Sequence, residues 1–132
     1  MSAQYDITAS GLRAANYRPI HAGDDYSHRF TVERPPGSPL DLTNAKLWFT
    51  VKQGSKESDA QAKLFYDSDN VADIEITVPA AGQFTIHFQA VDTNTLEGTW
   101  VYDIKALLST GSILRLAYGT IEFLPNITKA YV

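Results

Sequence analysis

Five stretches of this chain alternate apolar and polar residues with a period of two, and that pattern leaves little choice of fold. Tyr26, His28, Phe30 and Val32 alternate with Ser27, Arg29, Thr31 and Glu33, and Ala45, Leu47, Phe49 and Val51 with Lys46, Trp48, Thr50 and Lys52. Ile74, Ile76 and Val78 oppose Asp73, Glu75 and Thr77; Phe84, Ile86 and Phe88 oppose Gln83, Thr85, His87 and Gln89. Trp100, Tyr102, Ile104 and Ala106 alternate with Thr99, Val101, Asp103 and Lys105. Successive side chains of a strand point to opposite faces, so each run offers one face to a core and the other to solvent. On a helix the same residues would be scattered around the whole circumference. Thr, Val, Ile and the aromatics make up 43 of the 132 residues, the types that suit a pleated, half-buried surface.

A sixth run covers Ile113 to Leu124. Its inward set is expected to pass from Leu114 and Leu116 to Ile121 and Phe123, with a bulge at Gly119 producing the change of face. Pro79-Ala80-Ala81-Gly82 reads as a hairpin turn, and Pro/Gly/Asp/Ser clusters at 34–39, 53–59, 67–70 and 109–112 separate the other runs. Residues 63–66 and 5–8 are predicted edge strands. The one helical turn expected lies at 92–96, with Asp92 as its cap and Leu96 folded under a sheet. The predicted fold is an all-β, immunoglobulin-like sandwich of about seven to eight strands. Residues 1–20 are read as an N-terminal edge strand or arm and 21–132 as the sandwich domain.

Composition removes several function classes. There is no cysteine, hence no disulfide, thiolate metal site or cysteine nucleophile. A net charge of −4 without a basic stripe argues against nucleic-acid binding, whose affinity comes largely from phosphate neutralisation. No apolar run approaches the ~20 residues of a membrane-spanning helix, and the first twenty residues lack a hydrophobic signal core.

Two resemblances bear on function. Asp92, Leu96, Gly98, Trp100 and Tyr102 resemble the E–F corner of immunoglobulin-like sandwiches, with Trp100 as the corner aromatic and Tyr102 where a disulfide cysteine would stand. Gly23-Asp24-Asp25, then 39–45 (Pro-Leu-Asp-Leu-Thr-Asn-Ala), Gly82-Gln83-Phe84, 92–103 (Asp-Thr-Asn-Thr-Leu-Glu-Gly-Thr-Trp-Val-Tyr-Asp) and Gly119-Thr120-Ile121 follow in the same order as in an Ig-like module of tailed-bacteriophage virion proteins. Over residues 20–128 the chain is similar to the N-terminal domain of baseplate upper proteins and to small head and tail domains. It departs at Asn44, where that family usually has Gly, and in ending with the module, which suggests a stand-alone adaptor, decoration or tail-completion piece. The resemblance implies a virion protein made in the bacterial cytoplasm, whose partners are other virion proteins and copies of itself. It implies no catalytic residue, cofactor or metal.

His21 to His28, with Asp24 and Asp25 between, concentrate ligand-type side chains, yet His28 falls on an apolar face and the aspartates fall where a turn is needed. No Gly-x-Ser-x-Gly elbow occurs, and Asn126-Ile127-Thr128, a glycosylation acceptor pattern, is silent in a bacterial host. Trp48 carries more information. Lying opposite Leu47 and Phe49, it is predicted to point away from the core, where either a neighbouring loop or the N-terminal segment packs over it or it anchors a contact with another subunit. Phe65 and Tyr118 pose the same question. The alternative is a glycan-binding module in which such aromatics stack on sugar rings.

Overall fold

The computed structural model describes residues 3–9, 12–13, 20–22, 25–34, 38–53, 62–93 and 96–125. Two sheets face each other. The first runs in the order β1 (Ala3–Ala9), β4 (Tyr26–Arg34), β9 (Gln83–Phe88), β8 (Ile74–Val78), with β5 (Ser38–Pro39) pairing β4. The second runs β2 (Leu12–Arg13), β11 (Ile113–Leu124), β10 (Gly98–Leu107), β6 (Lys46–Lys52), β7 (Leu64–Asp67), with β3 (Ile20–His21) also on β11. The chain crosses from the first sheet to the second between β4 and β6, back to the first at β8, and again to the second at β10, which makes this an all-β, immunoglobulin-like sandwich. The strands of the first 21 residues join parallel to their partners, β1 to β4 in one sheet and β2 and β3 to β11 in the other.

The alternating runs meet in one core. Phe30 stacks on Phe84 at 5.0 Å across the β4–β9 pair. Phe49 of β6 lies among the rings of Phe88, Tyr102 and Tyr66, at 5.4, 5.9 and 6.3 Å. The Tyr66 hydroxyl donates to Asp92 Oδ2 at 2.7 Å and accepts the Gln89 amide at 3.2 Å, so this phenol enters the core with both hydrogen-bonding roles filled. Burial, before the nearby Asp92, drives its pKa far above the usual phenol value.

Leu42 is a fully buried plug held by a local turn. The Thr43 amide and hydroxyl both donate to Asp41 Oδ1, at 3.0 and 2.6 Å, and Asn44 then turns the chain with φ 59°. Asparagine tolerates that left-handed conformation better than most other non-glycine residues. The hydroxyl bond, then the amide bond, lower the Asp41 pKa. A depressed folded-state pKa contributes stability present above the unfolded value and lost as pH falls through the folded one. In an NMR titration the Asp41 midpoint should lie below the ordinary carboxylate value. Thr43→Val should raise it partway, because the amide donor survives; an unchanged midpoint would rule out the hydroxyl as the main cause.

Four details differ from expectation. The bulge in β11 sits at Leu116 and Ala117, not at Gly119: Ile104 pairs with Ala117 but Lys105 with Arg115, leaving Leu116 as the extra residue. Leu116 and Ala117 are both buried, and a bulge is what lets two consecutive apolar residues face inward; Gly119 lies opposite Tyr102 in an unbroken ladder. Leu114 is 38% exposed because it lies beside the turn that closes the β10–β11 hairpin, at the end of the sheet. Val78 is 46% exposed, since the β8–β9 register slips between Glu75 and Val78. The helical turn spans Ala90–Thr93, and Asp92 binds Tyr66 while the Ala90 amide donates to Asp25 Oδ1 at 2.9 Å.

Candidate functional site

On the outer face of the second sheet, strand pairing places outward residues in cross-strand rows. One row reads Arg115, Lys105, Trp48, Asp67 across β11, β10, β6 and β7. The next reads Tyr118, Asp103, Thr50, Phe65, and a third begins Thr120, Val101, Lys52. The inward neighbours along β10 and β6 are Tyr102, Ile104, Leu47 and Phe49, all buried. Period two therefore sends the alternate residues to the outer face, where Thr50 is still covered by its neighbours.

These rows line a shallow groove of about 670 Å³, within the range of ligand and peptide pockets. Trp48, Phe65 and Tyr118, distant in sequence, all lie in it, with Ile113 at one end. Phe65 is 46% and Tyr118 38% exposed, while Trp48 is half-buried. Two cations lie over these rings: Lys46 Nζ is 5.5 Å from the Trp48 centroid and the Arg115 guanidinium 5.1 Å from that of Tyr118. Lys46 also bonds Asp69 at 2.6 Å and lies 3.7 Å from Asp67, and Arg115 Nε is 3.7 Å from Asp103. The hydrogen bond to Asp69 is the main reason the Lys46 pKa is raised. Exposed pairs of this kind add little to stability but orient the side chains they hold.

The groove lining carries Lys52, Lys105 and Arg115 against Asp103, so a face of local positive charge sits on a chain of net −4. Sequence reading missed Lys105, Arg115 and Asp103 as members of the face. Alternation along β10 marks Asp103 and Lys105 as outward, but only strand order puts them between Tyr118 and Trp48.

Elsewhere, His28 is fully buried and edge-on to Phe88 at 4.9 Å, a packed histidine. Asp25 is engaged by the Ala90 amide, whereas the His21 side chain, Asp24 and residues 126–128 lie outside the described residues. Among the described residues no three metal-ligating side chains cluster. On the outer face of the first sheet Ser27 Oγ meets His87 Nδ1 at 3.0 Å, and His87 Nε2 meets Glu75 Oε1 at 3.3 Å. Ser27 is the second residue of β4 and is paired with Gln4 of β1 and His87 of β9, so it stands in a regular ladder and not on the strained turn of a nucleophile elbow.

No protein-family model and no curated protein matches the chain.

Proposed function

We propose that this protein is a non-enzymatic structural component of a tailed-phage particle that works by binding other proteins through the outer face of the β11–β10–β6–β7 sheet. The observation that carries the contact surface is the convergence of Trp48, Phe65 and Tyr118 on one concave, locally basic face. Half-exposed aromatics beside arginine are the residue types that dominate protein–protein hot spots. The placement in a virion, as a tail, baseplate, head–tail joining or decoration protein, rests on the ordered motifs at 23–25, 39–45, 82–84, 92–103 and 119–121. Its partners on this reading are other virion proteins and further copies of the chain, with no cofactor, nucleic acid or membrane required. A host glycan is the alternative occupant of the same aromatics. Sugar stacking needs a bare ring face, whereas Trp48 and Tyr118 each hold a cation over one face, which favours a protein partner.

Trp48→Ala decides the matter. The variant should melt within about 5 °C of the wild type, because the indole is outside the core. Its incorporation into particles, followed by cryo-microscopy of the density it occupies, should fall at least about ten-fold, the effect of losing one interface hot spot. Undiminished incorporation would refute the reading, as would a wild-type protein that stays out of particles and binds host polysaccharide through Trp48.

A further inference from the structure

We propose that this sheet face is complementary to itself and pairs with the same face of a second copy, about a twofold axis that crosses the strands between the Asp103 row and the Lys105 row. The inference rests on reading the face as an assembly surface and adds the occupant and its orientation. Asp103 and Lys105 are successive outward residues of the central strand β10. A twofold axis in the interface exchanges the two rows, so Lys105 of each copy lies opposite Asp103 of the other, and Arg115 opposite Tyr118. An axis running along β10 would instead set Lys105 on Lys105 and Asp103 on Asp103. Charge therefore selects one isologous geometry over the other.

Beyond Trp48, Lys46 is bound by Asp69 and Asp67. The same axis sets the Asp69 side of that corner over Lys63, outward by alternation with buried Leu64, and Lys46 over Lys52 of the same strand. The flank thus brings one contact of opposite sign and one of like sign, and the Lys105–Asp103 pair alone selects the axis. Lys105 holds no ion pair among the described residues, and Asp103 has only a 3.7 Å contact with Arg115. Both charges can engage across the axis without breaking a short bond. Sheets packed in this way sit ~10 Å apart with strands within about 30° of each other, which a slight tilt of the axis accommodates.

Size sets the expected strength. Four strands roughly 4.8 Å apart and seven residues at ~3.4 Å each give on the order of 450 Å² per copy. The total of about 900 Å² falls below the ~1,200–2,000 Å² of stable complexes, so the pair should form in the micromolar-to-millimolar range and gain from repetition in a particle.

The test is sedimentation equilibrium of the full chain with paired charge reversals. Wild type should show a monomer–dimer equilibrium. Lys105→Asp and Asp103→Lys should each weaken self-association at least about ten-fold, since each sets two like-charge contacts across the axis. An equimolar mixture of the two variants should recover association to within about three-fold, because each then supplies the charge the other lacks. The double variant, Lys105→Asp with Asp103→Lys, should recover as well, and thermal melts of all forms guard against loss of fold. A wild type that stays monomeric at millimolar concentration overturns the proposal. So do single reversals that leave association unchanged, or a mixture that does not recover. These failures leave the assembly reading standing if Trp48→Ala still loses incorporation into particles. A rescued mixture with normal Trp48→Ala incorporation would leave the pairing and remove the assembly reading.

Discussion

Phe49→Ala should destabilise the domain by about 3–5 kcal/mol, the range for truncating a buried aromatic. Phe49 is fully buried on β6, which lies between β10 and β7, and its ring touches those of Phe88 from the facing sheet and of Tyr102 and Tyr66 from its own. Alanine removes the ring that the other three all touch, leaving only the Tyr66–Phe88 contact at 6.0 Å among them. The backbone there is locked by ladders on both sides, so the walls cannot collapse into the space. For a domain of this size such a loss lowers the thermal midpoint by on the order of 10–15 °C. Equilibrium urea unfolding is the measurement, with Phe49→Leu as a milder control expected to lose about 1–1.5 kcal/mol. A loss below about 1 kcal/mol for Phe49→Ala would mean the sandwich is not held together at this ring cluster.

Gly82→Ala should be as damaging for a different reason. Gly82 closes the turn Pro79–Ala81 with φ 71°, a left-handed conformation that costs other residues about 1–2 kcal/mol. A Cβ built there would lie 2.5 Å from the Val32 carbonyl oxygen and 2.8 Å from that of Leu40. Both atoms are backbone and neither can rotate away. Val32 donates its amide to the Gly82 carbonyl at 2.9 Å, Leu40 donates to Val32 at 3.0 Å, and Leu42 donates to Pro79 at 2.8 Å. Separating the strands to admit a methyl group therefore strains three hydrogen bonds as well as the turn. The combined loss should exceed about 3 kcal/mol. Gly111→Ala isolates the conformational part: its φ is 91° but nothing lies within 4 Å of its Cβ position, so about 1–2 kcal/mol is expected. Equal losses at the two glycines in chemical denaturation would show that the close approach at Gly82 is not what excludes a side chain.

Much of this fold can be read along single strands. The outward position of Trp48 and the inward positions of Leu47 and Phe49 follow from period two alone, and the structure places all three accordingly. The Asx turn at Asp41 and the plug at Leu42 are legible because their bonds span only two residues. The bulge was harder. Leu116 followed by Ala117 is itself a break in alternation, but Gly119 nearby is the more conspicuous residue, and a bulge does not require glycine. Asp92 shows the same limit: capping is the local role of an aspartate at a helical turn, whereas the phenol that claims its carboxylate comes from Tyr66, 26 residues away.

The face has the same history. Alternation assigns Trp48, Phe65, Asp103 and Lys105 each to the outside of its own strand, a local consequence of pleating that needs no partner strand. That they form one groove with Tyr118 and Arg115 depends on β11, β10, β6 and β7 lying side by side in that order, and on the register that aligns Trp48 with Lys105 and Phe65 with Thr50. Strand order is settled by contacts between residues far apart in the chain, where burial of both sheets' inner faces selects one pairing among many. So the division between core and surface was already written in the order of residues. Which surface residues stand together, and hence where a partner can bind, was decided only when the strands were laid next to one another.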